Sequence, residues 1–156
     1  GTSGVDIGAN FRQRLGAMGS LDLTMNGTWV DKYTVENVPG LGEYDCKGLF
    51  GQTFGTSTPE WRHKLRATWA TPWNLNLSAT WRHFDSVKQE RLSGQELLTG
   101  EAPGTNATVA AVEQHMGARD YLDLNASYNL TKKMTLSFGV NNVLDRDPPL
   151  ASGNAI

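Results

Sequence analysis

Hydrophobic and polar side chains alternate residue by residue in six segments of this chain. An α-helix would instead repeat its apolar positions every three or four residues, so the alternation predicts β-strands with two chemically distinct faces. The predicted strands are Val5 to Arg12, Leu21 to Val30, Arg62 to Trp69, Asn74 to Arg82, Leu122 to Asn129 and Met134 to Asn141. One face of these segments is uncharged, and the other carries Asp6, Arg12, Asp22, Arg62, Lys64, Arg66, Arg82 and Asp123.

The connections between these segments alternate strictly between short and long. Three connections are short: Leu15 to Ser20, Ala70 to Trp73 and Leu130 to Lys133. Two connections are long: residues 31–61 and residues 83–121. In an up-and-down meander this order places every short turn at one end and both long loops at the other. Compact soluble domains rarely carry such loops, whereas outer-membrane barrels do so routinely. The predicted fold class is therefore all-β: an antiparallel up-and-down meander of about six long strands, forming a partial transmembrane β-barrel.

Aromatic side chains lie near the ends of the predicted strands or in a short turn. The residues predicted to meet a membrane interface are Trp29, Trp69, Trp73, Trp81 and Tyr128. Rings at both ends of an apolar band are typical of membrane barrels. The alternative is a soluble β-sandwich, which would bury the same face against a second sheet. Exposure or burial of the apolar face separates the two, and its marker residues are Val5, Leu23, Leu77, Leu124 and Phe138.

Composition and motifs narrow the function classes. The 156 residues carry a net charge of −2, so no overall basic character indicates nucleic-acid binding. No apolar run is long enough for a transmembrane helix, and the mean hydropathy of −0.42 still fits alternating barrel strands. The histidines His63, His83 and His115 lack metal-ligand spacing, and no nucleotide-binding or nucleophile motif occurs. We therefore expect no enzyme, no catalytic residue, no metal site and no cofactor.

The last predicted strand ends in Phe138-Gly-Val-Asn-Asn-Val-Leu-Asp-Arg-Asp-Pro-Pro, with polar turn residues and two prolines that cannot continue a ladder. This segment resembles the region near the C-terminus of TonB-dependent outer-membrane receptors. The hairpin from Tyr121 to Asn142 and the segment from Pro59 to Arg82 resemble late barrel strands of the same family. The resemblance covers nearly the whole chain.

The resemblance implies a barrel of about two dozen strands, filled by an N-terminal plug domain. Such receptors lie in the outer membrane of Gram-negative bacteria, in contact with its lipid, and import scarce nutrients such as ferric siderophores, cobalamin or carbohydrates. The TonB–ExbB–ExbD complex supplies the energy by pulling on the plug, which carries a TonB box. On this interpretation residues 1–156 are part of the barrel, without the plug domain and the final strand.

The resemblance also bears on the single cysteine, Cys46, which cannot form an internal disulfide. Many relatives place a second cysteine a few residues after the Tyr44-Asp-Cys segment. Phe54 stands near that position here. We therefore expect Cys46 to be a free thiol in the first long loop.

Two sets of residues are expected to face the barrel interior or its ligand. Those expected to face the lumen and the plug are Arg62, Lys64, Arg66, Arg82 and Asp123. Cross-strand pairing and hydration would explain them; alternatively, Arg62, Lys64 and Arg66 meet an acidic plug surface or an anionic substrate. Contact with a small nutrient ligand is expected in the long loops, where ordinary packing is the alternative; the candidates are Tyr44, Asp45, Phe50, Phe54 and Trp61. Two other functions stay open: a soluble carbohydrate-binding module, and a structural barrel without a plug.

Overall fold

The structure is a computed structural model that describes residues 1–40, 42–51, 53, 57–96, 98 and 114–149. Its long strands are β1 (Thr2–Arg14), β2 (Ser20–Val35), β5 (Trp61–Ala70), β6 (Leu75–Phe84), β9 (Arg119–Thr131) and β10 (Met134–Val140). Its short strands are β3 (Tyr44–Asp45), β4 (Leu49–Phe50), β7 (Val87–Gln89) and β8 (His115–Met116). Two 3₁₀ turns span Gly16–Met18 and Glu90–Leu92, and the described residues include no α-helix.

The six long strands form one antiparallel meander. Their order in the sheet is β1-β2-β5-β6-β9-β10, so each long strand pairs with the next along the chain, and β3 adds to β2. The predicted fold class is confirmed, and all six predicted strands are present. Most of them extend past a predicted bound, above all β2. Its backbone pairs with β1 as far as Tyr33, past a register shift at Ser3 and Gly4, and its last two residues pair with β3.

The two faces of this sheet differ as the alternation predicts. On the apolar face, which carries Leu23, Leu65, Leu77 and Leu124, no second layer covers the sheet within the described part of the chain. Val5 and Phe138 are 50% and 66% exposed. The opposite face, called the polar face below, carries cross-strand pairs such as Arg12 with Asp22. A soluble sandwich would bury the apolar face, so this exposure argues against the sandwich.

The short turns all lie at one end of the sheet. In the first, the N–H of Leu15 donates to the carbonyl of Gly19 over 2.8 Å. In the second, the N–H of Thr71 donates to the carbonyl of Leu75 over 2.9 Å, beside Asn74 at φ 60°. The third joins β9 to β10 after Thr131. This end is called the turn end below, and the other the loop end.

The buried residues of the described chain lie mostly at the loop end, outside the long strands. Segments of the two long connections meet there in a small sheet of order β4-β7-β8, in which β4 and β7 are parallel. Two apolar clusters fill this region, which we call the loop layer: Tyr44, Cys46, Leu49 and Leu98 form the first, and Phe50 and Val87 the second. The long loops therefore have a core of their own. None of the described helices is long and apolar enough to span a membrane.

Candidate functional site

The strand register brings the charged residues of the polar face together at the loop end. Arg62 pairs across the sheet with Phe84, and Phe84 pairs with Arg119. Two residues further towards the turn end, Lys64 lies opposite Arg82. These positions form successive rows that run across three neighbouring strands. The next row, towards the turn end, contains Arg66, Thr80 and Asp123.

Arg82 forms a bidentate ion pair with Asp123. Its Nε and Nη2 donate to the two carboxylate oxygens of Asp123 over 2.9 and 3.0 Å, a bidentate geometry. The same carboxylate accepts the N–H of Asn142 over 2.9 Å, so the end of β10 is tied to the pair. The guanidinium of Arg82 also lies 5.2 Å from the ring centre of Tyr121. The charges of Arg82 and Asp123 therefore compensate each other.

Three other cations on this face have no such partner. Within the described residues, Arg62, Lys64 and Arg66 make no salt bridge and no side-chain hydrogen bond, and all three are exposed. They stand two residues apart on one strand, which spaces them by about 7 Å along a line. The three side chains thus form a row of exposed cations, and the nearest carboxylates on this face are those of Asp6 and Asp123.

A cavity of about 240 Å³ adjoins the loop-end row. Arg62, Phe84 and Arg119 line it from the sheet, and Ser57 and Met116 line it from the loop layer. Arg119 is occupied, because its guanidinium donates to backbone carbonyls, including that of Ala118 over 3.1 Å. Arg62 makes no hydrogen bond within the described residues, and Asp85 adds a carboxylate to the lining of the same cavity.

The loop residues for which we expect ligand contact include two that the structure buries. Tyr44 and Phe50 are only 6% and 3% exposed and belong to the core of the loop layer. The carboxylate of Asp45 accepts the backbone N–H groups of Tyr33 and Lys47 over 3.1 and 3.0 Å, so it orders the local chain. Tyr44 and Phe50 therefore pack the loop, whereas Asp45 is half-exposed and also lines a surface cavity; ligand contact at these positions stays a prediction. Phe54 lies outside the described residues.

Trp61 is not a loop residue, which corrects its predicted location. It begins β5, pairs with Trp29 of β2 and contributes to the apolar face. Its ring lies over Gly27, where an added Cβ would stand 2.4 Å from the Cη2 atom of the indole. Its Nε1 donates to Nδ1 of His63 over 2.8 Å. Because glycine has no side chain, Gly27 leaves space for the Trp61 ring at the loop end.

The predicted interface aromatics lie towards the two ends of the sheet. Trp69, Trp73 and Tyr128 are at the turn end, and the Trp69 indole donates to the carbonyl of Met18 over 2.8 Å. Trp29 and Trp81 lie towards the loop end. Trp61 and Trp69 are eight residues apart on β5, which corresponds to about 27 Å along the strand. Tilted by about 40°, such a strand spans roughly 20 Å, close to the height of a lipid-facing band.

Sequence reasoning missed a polar cluster on the apolar face at the loop end. His63 and His83 stack with ring centres 5.1 Å apart. Asp120 accepts the Trp81 indole N–H over 2.6 Å and lies 2.8 Å from Nδ1 of His83. The predicted strand begins only at Leu122 and does not include Asp120; continuing the period-two pattern two residues towards the N-terminus places Asp120 on this face. Among the described residues, no group of three or more His, Cys, Asp or Glu side chains is arranged to hold a metal.

Cys46 is fully buried in the loop layer. Burial raises the pKa of its thiol to about 11, and the carboxylates of Asp45 and Glu90 act in the same direction. Burial also raises the pKa of the neighbouring Tyr44 hydroxyl, which has no hydrogen-bond partner within the described structure. Cys46 has the environment of a packing residue instead of a reactive thiol.

We expect Cys46 to react with a disulfide reagent about 100-fold more slowly at pH 8 in the native protein than in urea, because the thiol is inaccessible and protonated. Absorbance of the released thiolate measures the rate. Its folded pKa of about 11 exceeds the ordinary value of 9.0, so the unfolded chain loses its proton first. Thiol burial therefore stabilises the loop layer below pH 9, and this contribution falls as the pH rises towards 11.

The control is a cysteine at an exposed position of the same loop, Ser57→Cys in a Cys46→Ser background. It should react at nearly the rate of a free thiol in both the native and the unfolded protein. Equal native rates for Cys46 and the control cysteine would contradict the burial of the Cys46 thiol.

An open antiparallel sheet with an uncovered apolar face, aromatic rings towards both ends and a charged opposite face defines the wall of a membrane β-barrel. The family model described as "TonB dependent receptor-like, beta-barrel" matches residues 2–143, and the chain belongs to this family. The family comprises transporters and receptors of the Gram-negative outer membrane and is not an enzyme family. Comparison with curated proteins and with solved structures gave no match.

Proposed function

We propose that this chain forms part of the barrel wall and the extracellular loops of an outer-membrane receptor that imports a scarce nutrient with TonB-supplied energy. The observation that carries the proposal is the uncovered apolar face, because a sheet of this size would aggregate in water unless lipid covered it. On this proposal the polar face lines the lumen and contacts a plug domain. The loop end faces the cell exterior, and the turn end faces the periplasm.

The sheet edges fit the same proposal. β1 and β10 stand at opposite ends of the strand order and do not pair with each other within the described residues. Unpaired strand edges cannot lie in lipid, so in a membrane both must continue into further strands. We infer that this chain is one arc of a larger closed barrel.

Two alternatives are less well supported. A soluble carbohydrate-binding module would need a second layer over the apolar face, and none is present in the described part of the chain. A structural barrel without a plug would leave the row of Arg62, Lys64 and Arg66 facing water alone, whereas a receptor offers it a plug or a ligand. The proposed nutrient classes are ferric siderophores, cobalamin and carbohydrates.

Uptake in living cells tests the proposal. A strain lacking the receptor is complemented with the full receptor in TonB-proficient and TonB-deficient backgrounds, and uptake of labelled ferric siderophores, cobalamin and oligosaccharides is measured. Uptake of one class should require both the receptor and TonB, and membrane fractionation should place the receptor in the outer membrane. Uptake that is unchanged without TonB would favour the barrel without a plug, and recovery of the receptor in the soluble fraction would contradict the proposal.

A further inference from the structure

The turn end of the sheet carries an excess of positive charge. Lys132 and Lys133 form the exposed tip of the third turn, and Arg14 ends β1 at the first turn. Among the described residues within three positions of a short turn, the one carboxylate is that of Asp22, which is paired with Arg12. Asp22 lies on β2, three strands from β9 and thus at least about 14 Å from the lysine turn across the sheet.

A groove of about 520 Å³ indents the apolar face between the middle of the sheet and its turn end. It lies where alanines pair across the strands: Ala67 with Ala79, and Ala126 with Leu77 on one side and Phe138 on the other. Its lining is almost wholly apolar. An unfilled groove would forfeit dispersion contacts along its walls, so hydrocarbon is the complement that fits it.

Two indoles stand between the groove and the turn end. Trp69 lines the groove, and its ring centre lies 6.3 Å from that of Trp73 in an edge-to-face arrangement. Trp73 is 64% exposed, and its indole N–H makes no hydrogen bond within the described residues. Amphipathic rings of this kind lie at the level of lipid headgroups. The apolar groove therefore leads into a headgroup level at the turn end.

The groove and the lysine turn lie within the length of one lipid. Phe138 follows Lys133 by five residues, which corresponds to about 17 Å along the chain. With strands tilted by about 40°, the difference in depth is roughly 13 Å. One leaflet with its headgroups is about 20 Å thick, so both features belong to the same leaflet.

We propose that this part of the wall binds an anionic glycerophospholipid of the leaflet at the turn end, with one acyl chain in the groove and the phosphate near Lys132 and Lys133. The proposal rests on the proposed function, because it takes the apolar face to be lipid-facing. A second copy of the chain fits the groove less well. It would bring two lysine turns together in one leaflet, and their like charges would repel.

Native mass spectrometry of the purified full receptor in detergent tests the lipid selectivity. The probes are phosphatidylglycerol and phosphatidylcholine with identical acyl chains, added as an equimolar mixture. Attraction of a lysine to an anionic lipid surface corresponds to roughly a fivefold gain in affinity, so retained phosphatidylglycerol should exceed phosphatidylcholine at least about 10-fold. Equal retention of the two lipids overturns the inference. A dimer that retains no lipid also overturns it, because a second copy would then occupy the groove.

Charge reversal locates the headgroup. Lys132→Glu combined with Lys133→Glu should raise the phosphatidylglycerol concentration needed for half-saturation at least about 10-fold. The matched control combines Lys32→Glu with Lys88→Glu, which makes the same charge change at two exposed residues of the loop end and should leave retention unchanged. If both double variants lose the lipid alike, only net charge matters and the assigned headgroup site is wrong.

Filling the groove tests the place of the acyl chain without changing charge. Ala79→Phe should weaken retention of phosphatidylglycerol about fivefold or more, because the new ring occupies the space of the chain. Ala9→Phe is the matched control, since Ala9 lies on the apolar face of β1 and does not line the groove. Ala79→Leu replaces the phenylalanine variant if the latter does not fold. Unchanged retention in a folded Ala79 variant overturns the inference.

The outcomes also separate this inference from the proposed function. Selective retention of phosphatidylglycerol by a receptor that shows no TonB-dependent uptake would remove the proposed function alone. TonB-dependent uptake by a receptor that retains the two phospholipids equally would remove the inference alone.

Discussion

Leu124→Arg is expected to destabilise the barrel by about 2–4 kcal/mol, because it places a guanidinium near the middle of the lipid-facing band. Leu124 pairs with Ala79 and Val140 between the two aromatic ends of the sheet, and its side chain is 41% exposed. Lipid offers the new charge no partner. Denaturant titration of the full receptor refolded in lipid vesicles, followed by tryptophan fluorescence, measures the free energy of unfolding.

Two control variants make this experiment specific. Asn125→Arg adds the same side chain one residue further along, on the polar face, and should change stability by less than about 1 kcal/mol. Leu75→Arg stays on the apolar face but lies beside Tyr128 at the turn end, where the cost should also be below about 1 kcal/mol. Equal losses for Leu124→Arg and Asn125→Arg would mean that the two faces are not lipid-facing and lumen-facing.

Gly19→Ala is expected to cost roughly 3 kcal/mol, because the first short turn has no room for a side chain at this residue. Gly19 has φ 91° and ψ −137°, a conformation that residues with a Cβ rarely adopt. A Cβ built there would lie 1.9 Å from the carbonyl oxygen of Ala70, a backbone atom of the neighbouring strand that cannot rotate away. The same denaturant titration measures the loss.

Gly16→Ala is the matched control for this prediction. Gly16 is in the same turn and has φ 61°, but no atom lies within 4 Å of the position that an added methyl group would take. We therefore expect a cost of about 1 kcal/mol, from the left-handed backbone alone. If both alanine variants lose the same stability, the contact with Ala70 contributes nothing and the turn can adapt to a side chain at Gly19.

The meander was predictable from the sequence because every long strand carries its own period-two signal. The signal fails at the loop end, where the polar residues His63, His83 and Asp120 continue the apolar face: His83 stacks on His63 and lies within hydrogen-bond distance of Asp120. The alternation of apolar and polar residues therefore no longer indicates a strand there, although backbone pairing continues as far as Phe84 and Arg119. Pairing across a sheet depends on the neighbouring strand, and a local pattern does not record that neighbour.

The loop layer was not predictable on the same grounds. β3 and β4 are two residues long, too short for any periodicity, and β4 pairs with β7 almost forty residues away. Phe50 packs against Val87 of that distant strand, and Tyr44 belongs to the cluster that includes Leu98. Their burial therefore depends on contacts that a local sequence pattern does not record. The row of Arg62, Lys64 and Arg66 was predicted correctly to share one face, because its two-residue spacing lies within a single strand.

The joining of the two long loops has an immunological consequence. Asp45 exchanges two hydrogen bonds with the side chain of Gln95, both of 2.7 Å, so the surface around residues 44–50 is completed by a segment fifty positions further along the chain. A synthetic peptide copying residues 44–50 would display Tyr44 and Phe50, which the native protein hides. Antisera raised against such a peptide should therefore recognise the denatured chain and fail on intact cells, whereas antibodies selected on whole cells should require both loops.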